Sequence, residues 1–280
     1  MKYFILTFLL PLLSGCASAK NPIQKEMTIR PGEVRWLEFE IPEKSVRLFC
    51  KDQEVKIQRF DKIIRAAVVE TYFSDHNPFT CYFKEKDQNL VEVFFKVDKK
   101  EYKSEQLRVD SKRIKLSPKD QKRADKEQAV LNKIYASSLN TLQFQTPFRE
   151  PLASYVTSVY GTKRVYNKKK KGQHLGTDYR AAIGDRVPSA NAGKVVYSGD
   201  LFYTGWTVII DHGLDIFTVY GHLSKTLVEA GQKVEKGQVI GLSGNTGRTS
   251  GPHLHWGVKV QGQYIDGPNL VEESKKIFKE

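Results

Sequence analysis

The sequence reads H-L-G-T-D at 174–178, Y-G-H-L at 220–223 and G-P-H-L-H-W-G at 251–257, with strand-like segments between these islands. Four of the six histidines and one carboxylate therefore fall in three short stretches. Residues i and i+2 of a strand point to the same face, roughly 6–7 Å apart. In the 253–255 pair one imidazole can hold a metal ion while the other faces a water or a substrate. His174 and Asp178 would be roughly 13 Å apart on a regular strand, too far to share an ion, and Gly176 and Thr177 disfavour a helix. The segment is predicted to be a turn feeding a short strand, with Asp178 at its start. A catalytic Zn²⁺ takes three protein ligands and keeps a fourth position for water. The candidates are His174, Asp178 and one histidine of the 253/255 pair.

The surrounding pattern is strand after strand: K-V-V-Y-S from 194, W-T-V-I-I-D from 206, D-I-F-T-V-Y from 215, V-I-G-L-S from 239 and L-H-W-G-V-K-V from 254, separated by Gly-, Asp- and Asn-rich turns. An antiparallel β domain offers a rigid floor for a groove. No H-E-x-x-H occurs, so no helical glutamate base is available and proton transfer falls to imidazole, whose ordinary pKa suits it near neutrality. The glycines of G-N-T-G-R-T-S-G at 244–251 are not followed by Lys-Ser/Thr or by a helix pattern, which excludes a phosphate loop. His212, in D-H-G, and His76, in S-D-H-N-P, read as structural or surface residues.

The islands resemble the zinc peptidases of the lysostaphin/LytM type, the M23 family of cell-wall endopeptidases. The resemblance runs from about 150 to 270 and takes in H-x-x-x-D at 174–178, Y-G-H-L at 220–223, G-Q-x-V-x-x-G-Q-x-I-G at 231–241 and G-N-T-G-R-T-S-G-P-H-L-H at 244–255. It implies that His174, Asp178 and His255 are the zinc ligands and that His222 and His253 are unligated catalytic histidines. His253 is the expected general base and His222 the expected hydrogen-bond partner of the developing oxyanion, two roles the sequence leaves exchangeable. Arg164 and Asn167, after T-S-V-Y-G-T-K-R at 157–164, match polar residues that flank the family's groove. The K-K-K-K run at 168–171 departs from the family's short loop and reads as a solvated loop or a contact to an anionic wall or lipid.

The rest of the chain sets the expected address. The 280 residues suffice for two domains, and the net charge of +13 favours an anionic polymer or membrane surface; no recognition motif points to nucleic acid. Lys2, an apolar run at 4–13 and L-S-G-C at 13–16 read as a secretory leader (1–15) ending in a lipobox, with Cys16 lipidated. Ala17 then implies, by resemblance to lipoprotein sorting, the periplasmic face of the outer membrane of a Gram-negative bacterium. Residues 16–30 read as a tether. Period-2 alternation over 31–116 predicts an immunoglobulin-like β-sandwich with a possible disulfide between Cys50 and Cys81. Ser117, Pro118 and Asp120 start a helical linker over 117–142, a spacer or a cover for the groove. The expected class is thus mainly β, with a C-terminal antiparallel catalytic domain (143–272) of the lysostaphin/LytM, duplicated hybrid motif type.

The expected activity is that of a zinc-dependent peptidoglycan D,D-endopeptidase cutting D-alanyl-meso-diaminopimelate cross-links. Stem-peptide carboxypeptidase activity and non-catalytic amidase activation are the alternatives, and the N-terminal domain is a candidate contact for a regulatory protein.

Overall fold

The computed structural model describes residues 21–107, 116–167 and 170–279. The apolar leader, Cys16 and Ala17 lie outside the described residues. The N-terminal half contains β1 (Ile23–Ile29), β2 (Val34–Glu40), β3 (Val46–Cys50), β4 (Gln53–Val55), β5 (Gln58–Phe60), β6 (Ile63–Val69), β7 (Phe79–Glu85) and β8 (Gln88–Val97). These form a five-stranded sheet, β1-β8-β7-β3-β4, and a three-stranded one, β2-β6-β5. Alternation explains the packing: Ile29, Leu48, Phe83, Val93 and Phe95 from the first sheet meet Leu37, Ile64, Ala66 and Val68 from the second in one core. Cys50 and Cys81 stand directly opposite on β3 and β7 and form a disulfide. The tether expectation is corrected here. Ile23–Ile29 pairs in parallel with β8, because its backbone groups complete the edge of the five-stranded sheet.

After β9 (Ser104–Leu107) comes α1 (Pro118–Tyr135). The Ser117 Oγ accepts from the Asp120 N–H, and Pro118 occupies the first turn, as the sequence predicts. The C-terminal half runs through β10 (Val156–Ser158), β11 (Lys163–Tyr166), β12 (Lys170–Gln173), β13 (Thr177–Arg180), β14 (Arg186–Pro188) and β15 (Gly193–Leu201). It continues with β16 (Gly205–Asp211), β17 (Ile216–Thr226), β18 (Lys233–Val234), β19 (Val239–Ser243), β20 (His253–Val260), β21 (Gln263–Ile265) and α2 (Gly267–Ile277). Its main sheet has the order β10-β13-β20-β17-β16-β15-β18. One face carries Tyr179, Val208, Ile210, Tyr220, Leu254, Trp256 and Val258 into the principal core.

Two features depart from the sequence reading. The helix is not a free spacer: Leu131 and Tyr135 lie on Ile209, Phe217 and Val219, on the face of the main sheet opposite the core. The lysine run is not wholly loop, since Lys170 and Lys171 belong to β12 and pair with Tyr166 and Val165 of β11. β11 in turn pairs in parallel with β9, so a strand from before α1 is built into the C-terminal half.

The two halves are one packed body because β2 and β6 are buried on both faces. Val34, Trp36 and Ala67 join the C-terminal core while Leu37, Ala66 and Val68 serve the N-terminal one. Trp36 meets Phe278 edge-on at 5.1 Å, the Val34 N–H donates to Asn269 Oδ1 at 2.8 Å, and Lys56 pairs with Asp215 at 2.8 Å. Phe278 lies beyond the expected end of the catalytic domain at 272; the core needs it to close over Trp36.

Candidate metal centre

Period-2 alternation delivers most of the site. On β20, Leu254, Trp256 and Val258 point to the core, so His253 and His255 point to the opposite face. On β13, Tyr179 is buried and hydrogen-bonded to Glu150 Oε2, leaving Asp178 and Arg180 on the other side. The antiparallel register sets Asp178 directly across from His255 and Arg180 across from His253. The turn over His174–Gly176 then brings His174 back over the strand that follows it, which is how a four-residue spacing closes on one point.

His222 arrives by another route. Trp206 pairs with Leu223 but Val208 pairs with Tyr220, so β17 holds one extra residue at Gly221–His222. This bulge lets Tyr220 and Leu223 both face the core and turns His222 out, at φ 60°. Bulged strands commonly re-aim side chains in this way beside active sites.

Three donor atoms converge. His174 Nε2 lies 3.0 Å from Asp178 Oδ1 and 3.2 Å from His255 Nδ1, and His255 Nδ1 lies 2.8 Å from Asp178 Oδ1. A tetrahedral ion with bonds of about 2.0 Å spaces its donors by about 3.3 Å, so the cluster fits with small outward shifts. Two imidazole nitrogens and one carboxylate oxygen, with no fourth protein donor among the described residues, form a metal-binding group that leaves a coordination position open. His174 Nδ1 lies 3.1 Å from the Val159 carbonyl, an acceptor that keeps the hydrogen on Nδ1 and leaves Nε2 for the metal. Burial pushes the Asp178 carboxyl up, but hydrogen bonds and positive charge from His174 and His255 outweigh it and hold the group far below the usual carboxylate range. Gly176 is required by contact: a Cβ there would stand 2.5 Å from His255 Cε1 and 2.8 Å from the Trp256 carbonyl oxygen.

The two remaining histidines face each other with ring centroids 4.7 Å apart. Each commits Nδ1–H to a backbone carbonyl, His222 to Thr246 at 2.8 Å and His253 to Gly251 at 2.9 Å. Their Nε2 lone pairs are therefore open for chemistry. Burial, reinforced by the nearby His255, pushes the His222 pKa down to about 4, so this ring is neutral at physiological pH. His253 Nε2 lies 3.6 Å from Asp178 Oδ1.

Arg164 lies beside the cluster, with Nη2 3.0 Å from Ser158 Oγ and 3.5 Å from Asp178 Oδ2. Asn167 lies three residues on, in the turn after β11, at φ 48°. His212 is fully buried between the Ala192 carbonyl and Thr218 Oγ1, and His76 sits exposed in a turn, which is the structural reading of both.

Sequence reasoning missed the supports. Thr246 pins the loop before β20 to the β15–β16 hairpin, its Oγ1 accepting from the Trp206 N–H and donating to the Leu223 carbonyl. The hairpin tip exposes Tyr203 and Trp206, and α1 braces it from outside through Arg123 to Asp200 and Glu127 to the Phe202 N–H. The one available signal was the spacing of Tyr220 and Leu223, two core residues three apart in a strand, which marks the bulge.

Fold and site together define a metallopeptidase domain with two further histidines beside the metal-binding group. Residues 172–267 match the model of peptidase family M23, and this segment is an M23 peptidase domain. The chain is 44% identical over 112 residues to the peptidoglycan DD-endopeptidase ShyA of Vibrio cholerae, covering 40% of this chain and 26% of that protein. It is 35% identical over 112 residues to the DD-carboxypeptidase/endopeptidase Mpg of Neisseria meningitidis, covering 38% of this chain and 26% of that one. The matched segment thus spans about a quarter of the length of these curated relatives. A crystal structure of a candidate M23 peptidase from Pseudomonas aeruginosa superposes with a TM-score of 0.69 at 26% identity. That likeness covers 91% of this chain and 97% of the other, so it extends over both halves.

Proposed function

We propose that this chain is a zinc-dependent D,D-endopeptidase that hydrolyses D-alanyl-meso-diaminopimelate cross-links in peptidoglycan. The observation that carries the reading is the complete constellation: three convergent ligands beside two histidines whose lone pairs are aimed by backbone carbonyls. His174, Asp178 and His255 would hold the zinc ion, which when bound would supply Lewis acidity toward the scissile carbonyl and the attacking water. His253, whose Nδ1–H is held by the Gly251 carbonyl, takes the water's proton at Nε2 and passes it to the leaving amine. For His222, whose role the sequence left exchangeable with that of His253, Nδ1–H is committed and burial opposes charging, so on this reading its Nε2 accepts a hydrogen bond and orients the water.

Stem-peptide carboxypeptidase activity is a second reading, supported by the similarity to Mpg, whose name carries both activities. Anchoring at the outer membrane through a lipidated Cys16, supported by L-S-G-C at 13–16, sets the groove against the wall, and the packed N-terminal half offers a surface for a regulatory protein. The test is release of monomeric from dimeric muropeptides, with metal content measured in parallel. His174→Ala and Asp178→Ala should lose both metal and activity. His222→Ala and His253→Ala should keep the metal and lose about 10²–10⁴-fold in rate. A metal-loaded wild type that releases neither monomers nor terminal D-alanine, but stimulates an amidase, would establish the activator reading instead.

A further inference from the structure

Arg180 carries a charge that the fold leaves unused. It is exposed on β13, two residues beyond the ligand Asp178 and on the same face, and its backbone stands opposite His253. Its main-chain N–H is committed to the Tyr155 carbonyl, but its guanidinium makes no hydrogen bond, ion pair or ring contact with any described residue. Arg164, which also reaches this cluster, is already held by Ser158 and Asp178. His255, diagonal to Arg180 across the β13–β20 pair, lies at the roughly 7–8 Å that long side chains span. A planar guanidinium in that position suits bidentate recognition of a carboxylate held next to the reacting bond.

The substrate chemistry supplies one. In a D-alanyl-diaminopimelate bridge, the carbon bearing the scissile amide nitrogen also bears a free carboxylate. The terminal D-alanine removed by a carboxypeptidase has the same arrangement. A glycine bridge has no carboxylate there. We infer that Arg180 is a specificity-determining residue that binds the carboxylate adjacent to the scissile amide nitrogen, selecting amides whose leaving amine is an α-amino acid with that carboxylate free. The inference rests on the endopeptidase or carboxypeptidase reading above.

The experiment compares two dimeric muropeptides, one with this carboxylate free and one with it converted to the carboxamide. Metal-loaded wild type, Arg180→Lys and Arg180→Ala are assayed on both. Wild type should favour the free acid by about tenfold to hundredfold in kcat/KM, the range of a charge-assisted hydrogen-bond pair. Arg180→Ala should erase this preference by slowing only the free-acid substrate, and Arg180→Lys should retain part of it. Metal content should be unchanged in both variants. Binding gives a readout independent of turnover: on a His222→Ala background, the dissociation constant of the free-acid dimer should rise on adding Arg180→Ala, and that of the carboxamide should not. A wild type indifferent to amidation, an Arg180→Ala enzyme that keeps the preference, or an equal loss on both substrates overturns the Arg180 assignment and leaves the enzyme reading standing. A wild type that cuts neither dimers nor terminal D-alanine overturns that reading, and this inference falls with it.

Discussion

Adding one methyl group at Gly176 tests whether the ligand geometry is fixed by close packing between β13 and β20. A Cβ at this position lies 2.5 Å from His255 Cε1, 2.7 Å from its Nε2 and 2.8 Å from the Trp256 carbonyl oxygen. Carbon atoms rest at about 3.5–4.0 Å from one another, so Gly176→Ala creates an overlap of about 1 Å. The Trp256 oxygen belongs to the strand paired with Thr177 and cannot retreat without breaking that register. Relief must therefore come from the His255 ring, which moves Nδ1 away from the Asp178 oxygen it now approaches at 2.8 Å. Overpacking of this size costs about 1–3 kcal/mol. A displacement of about 1 Å exceeds the roughly 0.5 Å within which a site must be held and lowers turnover about 10²-fold. The assay is metal retention against graded chelator, muropeptide release and thermal melting, with Gly251→Ala as control because a Cβ there meets nothing within 4 Å. Gly176→Ala should melt several degrees lower, lose metal at lower chelator and release little product, with the control near wild type. If Gly176→Ala keeps wild-type metal affinity, activity and melting, the packing argument for His255 is wrong.

Three further outcomes are expected. Reducing Cys50–Cys81 reopens a loop with a sequence separation of 31, which should cost about 3–4 kcal/mol; denaturant unfolding with and without reductant measures it, and stoichiometric thiol labelling of unreduced protein would contradict the bond. His212 is held neutral, with burial pushing its pKa down to about 4 from an ordinary 6.5. Its unfolded form binds a proton first as pH falls, so its stabilising contribution is whole above about pH 6.5 and fades toward pH 4, by up to about 3 kcal/mol; unfolding of metal-loaded protein across that range should show this slope, and His212→Asn should flatten it. Cys16→Ser should abolish lipid labelling and membrane fractionation of the expressed protein, and normal anchoring of that variant would remove the lipoprotein proposal.

Much of the site was legible because strand alternation is a local rule. Once Leu254 and Trp256 are core residues, His253 and His255 must share the other face, and once Tyr179 faces the core, Asp178 must face the opposite side. Helix capping by Ser117 and Pro118 is equally local, and so is the disulfide partnership once a third cysteine is set aside for the leader. The same rule misread two segments. Residues 23–29 carry polar neighbours and look like a tether, yet β8 offers an open edge whose hydrogen bonds do not depend on side-chain pattern. The lysine run looks solvated, and its side chains say nothing about the backbone pairing that places Lys170 and Lys171 beside β11.

The sequence by itself therefore determined the residue types, the β class and which faces the ligands occupy, since each follows from spacing along a strand or turn. Only the tertiary structure decided how those faces meet. It set the register of Asp178 against His255, the bulge that turns His222 outward and the carbonyls that fix each imidazole hydrogen. It also merged the two halves through a sheet buried on both sides and laid α1 against the groove's hairpin. The physical reason is that these relations join residues far apart in the chain, where no local propensity acts and the choice is made by how backbone pairing and close packing are satisfied together.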